Sequence, residues 1–129
     1  MPSGNGSCTI LIVDDDVAIL RLLRRVLEAD GFHVLEAGSG EDALKVGTKN
    51  TFDLAVIDYV MPGMNGAEVL SELRKLNPAA YLIMISGFPK QVAEGKTNTT
   101  IPEDTPFLAK PFTPRQLLGE IKRAPAARR

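Results

Sequence analysis

The most informative segment of the chain is Phe52-Asp-Leu-Ala-Val-Ile-Asp58-Tyr-Val-Met-Pro-Gly-Met-Asn-Gly66, where an apolar run ends in a carboxylate and turn residues follow. A continuous aliphatic run such as Leu54 to Ile57 is typical of a central strand in a parallel sheet. Ligands of open α/β sheets bind outside the carboxyl ends of the strands. Asp58 is therefore predicted to lie at the edge of the sheet where ligands bind. A solvated aspartate that opens a loop is an equally simple interpretation of this segment alone.

Strands and helices alternate on the N-terminal side of this segment. The predicted order is a strand over Thr9 to Val13, a helix that begins after Asp15 or Asp16 and ends at Gly31, a strand over Phe32 to Ala37, and a helix capped by Ser39. Three consecutive acids, Asp14 to Asp16, directly follow the first of these strands. We expect them at the same edge of the sheet as Asp58.

The alternation continues on the C-terminal side. The predicted order is a helix capped by Asn65 and Glu68, a strand over Tyr81 to Ile85 that leads to Ser86, a strand over Phe107 to Ala109 that leads to Lys110, and a helix capped by Thr113. The segment from Lys90 to Thr105 is rich in turn residues, and it predicts only a short or mobile helix around Gln91 to Glu94. Five strands with right-handed crossovers predict an α/β fold with a doubly wound parallel sheet.

Length and composition favour one domain. The chain has 129 residues, 44% hydrophobic and 24% charged, which suits one ordinary core over residues 9–123, with a flexible leader at 1–8 and a disordered tail at 124–129. A net charge of −1 provides no basic field for direct nucleic-acid binding, so protein partners are favoured. Cys8 is the single cysteine, which excludes an internal disulfide and suits the reducing cytoplasm. The chain has no apolar run of the ~18 residues that a membrane span needs, so we expect no membrane contact within it.

Polar residues follow four of the five predicted strands: Asp14 and Asp15, then Asp58, Ser86 and Lys110. Neighbouring carboxylates repel each other by about 4 kcal/mol per pair at 4 Å in an effective dielectric of 20, so either one of them is protonated or a cation lies among them. Mg²⁺ prefers oxygen ligands in such open sites. Together with an ammonium and a hydroxyl, this set suits phosphoryl transfer to a carboxylate. Asp58 stands alone at its strand end and is the predicted nucleophile, whereas Asp14 and Asp15 are suited to holding the metal.

From Thr9 to Arg123 the chain resembles the receiver domain of two-component response regulators. The motifs that carry the resemblance, in order and spacing, are Val13-Asp-Asp15, Ile57-Asp58 with Met61-Pro-Gly-Met-Asn-Gly66, Ile85-Ser-Gly87, and Phe107-Leu-Ala-Lys-Pro-Phe112. The resemblance implies a flavodoxin-like (βα)5 three-layer sandwich with strand order 2-1-3-4-5 and a cis bond between Lys110 and Pro111.

The resemblance also implies roles for the polar residues. Asp58 would be phosphorylated by the phosphohistidine of a sensor histidine kinase or histidine phosphotransfer protein. Mg²⁺ would be bound by Asp14, Asp15, Asp58 and the Val60 carbonyl. Ser86 and Lys110 would contact the phosphoryl group, and Ser86 and Phe107 would move together as a switch. The chain would then be a signalling phosphoacceptor that catalyses its own phosphotransfer and dephosphorylation, and not an enzyme in the usual sense. It would act as a monomer or as a phosphorylation-dependent dimer. By the same resemblance, Val60 and Phe88 flank the path of the hydrolytic water, and their apolar side chains predict slow dephosphorylation.

Several alternatives stay open at this point. The chain could be a free-standing regulator or the C-terminal receiver of a hybrid kinase. A phosphatase of the haloacid-dehalogenase type could use Asp14 and Asp16, but it needs an acid pair after the lysine, and Glu120 is the only acid beyond Lys110. A flavin-binding module would want a hydroxyl-rich loop after the first strand, where this chain has three acids. His33 is interpreted as a structural residue, and Cys8 as incidental.

Overall fold

A computed structural model of the chain describes residues 8–87 and 104–128. The elements are β1 (Thr9–Val13), α1 (Val17–Ala29), β2 (His33–Ala37), α2 (Gly40–Lys49), β3 (Leu54–Asp58), α3 (Gly66–Leu76), β4 (Tyr81–Ser86), β5 (Phe107–Ala109), α4 (Pro114–Ile121) and a 3-10 helix (Pro125–Arg128). The helical turn predicted around Gln91 to Glu94 lies outside the described residues.

All strand pairs are parallel, and the strand order is β2-β1-β3-β4-β5, which confirms the predicted topology. The register brings the strand ends to one level. Val13 pairs with Ile57, so Asp14 and Asp58 leave neighbouring strands side by side. Ser86 pairs with Ala109, so Lys110 follows directly beyond it on the next strand. Residues that are distant in sequence therefore meet at one edge of the sheet.

The sheet is covered on both faces. Alternate residues of β1 point to opposite sides, and Ile10 and Ile12 join a core with α1 and α4, whereas Leu11 and Val13 join a core with α2 and α3. Every residue of β3 is buried, because this strand lies in the middle of the sheet. The predicted three-layer sandwich is confirmed.

The predicted helix caps also form. Asp16 caps α1 by accepting from the Ala18 amide at 2.9 Å, and Ser39 caps α2. Capping boxes begin the other two helices, from Asn65 with Glu68 and from Thr113 with Gln116. Such caps contribute about 1 kcal/mol each and fix where each helix starts after its strand.

Residues near both ends of the described chain are packed into the core. Cys8, assigned to a flexible leader, is buried in the core beside α1, and its carbonyl accepts from the His33 amide at 3.0 Å. The tail after residue 123 was expected to be disordered, but Ala124 and Ala127 are buried in the same core and a 3-10 helix forms around them. Small apolar side chains fill this end of the core without a periodic pattern that would reveal them. Among the described residues, the longest helix is too short to cross a membrane.

Candidate functional site

Three carboxylates meet at the carboxyl edge of the sheet. Asp14 and Asp58 are buried and Asp15 is exposed, and one oxygen from each lies within 4.8 Å of the others. At that separation each pair of charges repels by about 3.5 kcal/mol if the effective dielectric is 20. The edge therefore carries a concentrated negative charge that needs a cation.

Lys110 supplies one such cation. Its ammonium nitrogen lies 3.3 Å from Asp14 Oδ2 and 3.3 Å from Asp58 Oδ2, so it bridges the two buried acids. The strand that carries it is short, and the Lys110 amide extends it by donating to the Ser86 carbonyl at 3.0 Å. The following bond to Pro111 is cis, as the resemblance to receiver domains implied. Lys110 is thus fixed at its backbone while its side chain reaches across to β3 and β1.

The second oxygen of each buried acid is held by the backbone. Asp14 Oδ1 accepts from the Asp16 amide at 2.9 Å, and Asp58 Oδ1 accepts from the Val60 amide at 3.3 Å. These bonds orient the carboxylates toward Lys110. The orienting role of the Asp16 amide was missed in the sequence analysis, which considered Asp16 as a helix cap and as an acid of the phosphatase alternative. An aspartate such as Asp14 commonly accepts from the amide two residues later.

Burial has opposite consequences for the two kinds of charge. It raises the pKa of Asp58, and repulsion from Asp14 raises it further, against the lowering effects of Lys110 and the Val60 amide. For Lys110, burial lowers the pKa, but attraction to Asp14 and Asp58 outweighs it and the net pKa is raised. Lys110 therefore stays charged at neutral pH, while the ionised form of Asp58 is poorly stabilised in the free protein.

The remaining predicted residues take different positions. Ser86 is fully buried as the last residue of β4, one strand over from Asp58. Val60 is 58% exposed at the rim of the site. Phe107 is partly buried at the far end of β5, where it pairs with Met84, and so it is not part of the charged cluster. Phe88 lies outside the described residues.

The acidic cluster fits a hard divalent cation. Mg²⁺ binds oxygens at about 2.1 Å in an octahedron, so ligand oxygens on one ion lie about 3 to 4 Å apart. The three carboxylate oxygens are already within 4.8 Å of one another, and Asp15 is open to solvent. Lys110 offsets only part of the negative charge, and an ion at this place would offset the rest.

The chain is similar to known proteins over most of its length. The response regulator receiver domain model matches residues 10–122. The chain is 38% identical to sensor kinase CckA of Brucella abortus over 92% of the chain and 12% of that kinase. It is 33% identical to the transcriptional regulatory protein ResD of Bacillus subtilis over 88% of the chain and 46% of that protein. The chain thus spans less than half of these relatives.

Solved structures agree. Chemotaxis protein CheY4 of Vibrio cholerae has a TM-score of 0.77 and 30% identity, over 91% of this chain and 98% of that one. Response regulator TrrA of Thermotoga maritima, solved in complex with Mg²⁺-BeF, has a TM-score of 0.74 and 28% identity, over 91% and 98% of the two chains. These matches select the receiver interpretation over the phosphatase and flavin-binding alternatives. The chain belongs to the response regulator receiver domain family of two-component signalling proteins.

Proposed function

We propose that Asp58 is the phosphoacceptor of this receiver domain. The observation that carries the proposal is the position of its carboxylate: it ends the central strand, it contacts the Lys110 ammonium, and it shares the edge of the sheet with two further acids. An anion placed beside a fixed cation is suited to attack a phosphorus atom whose oxygens that cation can bind.

The transfer exchanges one bond for another. An Asp58 oxygen bonds to phosphorus while the bond from phosphorus to the imidazole nitrogen of the donor breaks, and the imidazole leaves with the electron pair. Lys110 offsets the charge on the phosphoryl oxygens. Mg²⁺, held by Asp14, Asp15, Asp58 and the Val60 carbonyl, would neutralise the acids so that a negatively charged phosphoryl group can approach. The Mg²⁺-BeF complex of TrrA supports this choice of ion.

Asp14 is less suited to the nucleophilic role. It is 1% exposed, and the Asp16 amide holds one of its oxygens at 2.9 Å. The corresponding bond from the Val60 amide to Asp58 is longer, at 3.3 Å, and Asp58 is 5% exposed. The carboxylate of Asp58 is therefore the more loosely held and the more accessible of the two.

The phosphodonor is proposed to be a sensor histidine kinase or a histidine phosphotransfer protein. Two valines at the rim support a protein partner: Val17, which begins α1 after the acids, is 59% exposed, and Val60 is 58% exposed. Leu22, further along α1, is also exposed. Apolar side chains around a charged cleft suit a protein surface that must exclude water during transfer. The relatives include both a sensor kinase and a transcriptional regulator, so either context suits the domain. The single, buried Cys8 supports a reducing, cytoplasmic location.

The signal is proposed to leave through Ser86 and Phe107. Ser86 would turn its hydroxyl toward the phosphoryl group, and Phe107, which lies on the neighbouring strand, would move with it. The domain would act as a monomer or dimerise on phosphorylation, and it would catalyse its own phosphorylation and dephosphorylation without turning over a separate substrate.

The test is phosphorylation by acetyl phosphate, followed by intact-protein mass. We expect one phosphoryl adduct in Mg²⁺ buffer and none in chelator, and Asp58→Asn should abolish it. Asp42→Asn, at an exposed aspartate in the first turn of α2, is the matched control and should be labelled like the native chain. An unchanged yield in Asp58→Asn would overturn the assignment.

A further inference from the structure

The loop of residues 59–65, here called the site loop, connects β3 to α3 and carries Val60. Its base is closed by the Gly66 amide, which donates to the Tyr59 carbonyl at 2.8 Å. A Cβ atom at Gly66 would lie 2.5 Å from Tyr59 Cα and 2.6 Å from the Asp58 carbonyl oxygen, so only glycine permits this closure. The two ends of the site loop are therefore fixed against each other.

The flank of the site loop contacts the first turn of α2. A Cβ atom at Gly40 would lie only 2.7 Å from Met64 Cβ and 2.9 Å from Val69 Cγ2, so the backbone of α2 is already in close contact with the loop. Beside it, a carboxylate oxygen of Glu41 lies 3.7 Å from the place where Gly63 would carry its Cβ. Two successive residues of α2 thus face two successive residues of the site loop.

We propose that Gly40 is a positioning residue for the metal side of the site, because its contact with Met64 sets the place of the site loop. The inference rests on the proposed Mg²⁺-dependent phosphorylation of Asp58. Val60 lies four residues before Met64, its amide orients Asp58, and its carbonyl is a proposed ligand of the ion. Few backbone torsions lie between Met64 and Val60, so we expect a displacement of Met64 to shift Val60 as well.

The chain of contacts is short and stiff. Pro62 fixes one backbone torsion in the site loop, and Gly63 has a left-handed φ of +80°. A methyl group at Gly40 would push against Met64 Cβ, which cannot rotate away because it is bonded directly to the backbone. The site loop would have to move away from α2, and the Val60 carbonyl would move with it.

Gly47 offers a matched control on the same helix. A Cβ atom there would lie 3.1 Å from Leu73 Cδ2, 3.3 Å from Phe52 Cε1 and 3.4 Å from Leu76 Cδ1. These atoms are ends of side chains on α3 and on the residue that precedes β3 by two positions, and none belongs to the site loop. Gly47→Ala therefore adds the same methyl group to the interface of α2 with its neighbours without pressing on the site loop.

The experiment compares the native 129-residue chain, Gly40→Ala and Gly47→Ala by calorimetric Mg²⁺ titration, thermal melts in chelator, and acetyl phosphate labelling rates over a range of Mg²⁺ concentrations. We expect Gly40→Ala to raise the Kd for Mg²⁺ about tenfold, as loss of an orienting partner typically does, with the labelling rate recovering at saturating Mg²⁺. Gly47→Ala should change the Tm and leave the Kd unchanged.

A native Kd in Gly40→Ala overturns the inference, and so does an equal rise in both variants, because that would follow from lost stability alone. Should Gly40→Ala not fold, Met64→Gly removes the Cβ atom that contacts Gly40 and should raise the Kd by a similar factor. An unchanged Kd in that variant then overturns the inference. These results differ from failure of the proposed function, in which the native chain itself does not bind Mg²⁺ or Asp58→Asn is still labelled, and that result overturns both.

Discussion

Lys110 Nζ lies 3.3 Å from Asp58 Oδ2, although 52 residues of sequence separate the two side chains. The contact exists because β5 pairs with β4, which in turn pairs with β3. The Lys110 side chain is 29% exposed, whereas that of Asp58 is 7% exposed, so the cation is the more solvated partner. Because the same ammonium also contacts Asp14, it offsets the charge of both buried carboxylates when no metal is bound. The free energy of unfolding of the metal-free domain should therefore depend on Lys110.

Lys110→Met should lower the free energy of unfolding by about 2 kcal/mol in chelator, below the usual range for a broken buried ion pair because Lys110 is partly solvated. Two buried carboxylates would be left without their cation. Mg²⁺ should restore part of the loss. Urea unfolding with and without Mg²⁺ measures both effects. Lys75→Met is the control, since the Lys75 pair with Glu72 is exposed and should contribute well under about 1 kcal/mol. Equal losses in the two variants would show that the bridging contact contributes little.

Asp58→Asn should be more stable than the native chain at neutral pH in chelator. Burial, followed by repulsion from Asp14, raises the pKa of Asp58 above its usual 3.8, so the fold favours its protonated form. As pH rises from 3.8 through the raised pKa, the unfolded chain loses this proton first and the native stability falls, whereas a neutral Asn does not titrate. The advantage of Asp58→Asn should therefore disappear as pH is lowered through that window. A difference in unfolding free energy that stays constant over the window would contradict this.

Asp15→Ala should weaken Mg²⁺ binding and yet raise the Tm in chelator. The substitution removes one of three clustered negative charges, which relieves repulsion when no ion is bound. Because Asp15 is exposed, we expect a rise of only about 1 to 2 °C. Differential scanning calorimetry in chelator and then in Mg²⁺ measures whether the difference in Tm between Asp15→Ala and the native chain changes sign. A clear drop of the Tm in chelator would count against repulsion within the cluster.

Val60→Asn should shorten the lifetime of the phosphorylated form. The native side chain is apolar and exposed at the rim, so it cannot orient a water for attack on the phosphorus. An amide there should speed the decay about three- to tenfold, below the effect of a full general base. Val17→Asn changes an equally exposed valine on α1 and should leave the decay unchanged. The measurement is the loss of the mass adduct in Mg²⁺ buffer.

A second variant addresses the other proposed neighbour of the water path. Val60→Asn/Phe88→Glu should decay at least as fast as Val60→Asn alone, although Phe88 lies outside the described residues. A double variant that decays no faster than the native chain would show that these side chains do not govern the water.

Much of the site was predictable because local patterns and parallel-strand geometry determine it. Apolar runs that end in Asp14, Asp58, Ser86 or Lys110 place these residues at one edge once the strands are parallel. Capping residues such as Thr113 act on their own helix and are visible in a short window of sequence. The strand order could not be predicted in this way, because its prediction came from the resemblance and not from any local pattern.

The unpredicted features depend on tertiary packing. Three small residues in polar or irregular segments are buried because they fill the end of the core beside α1: Cys8, Ala124 and Ala127. The contact between Gly40 and Met64 joins two segments that share no periodic signal. A glycine at a helix start is also an ordinary residue in a sequence, and its close approach is visible only in three dimensions.

The burial of Cys8 makes this residue a natural chemical reporter. It is the single cysteine of the chain and is 1% exposed, at the entrance to β1 and against the core that the C-terminal 3-10 helix completes. A thiol reagent can reach its sulfur only when this end of the sheet opens. The rate of alkylation therefore measures the free energy of that opening in the native chain, without any introduced label. Compared between phosphorylated and unphosphorylated protein, it would reveal whether events at the carboxyl edge of the sheet loosen or tighten the opposite end.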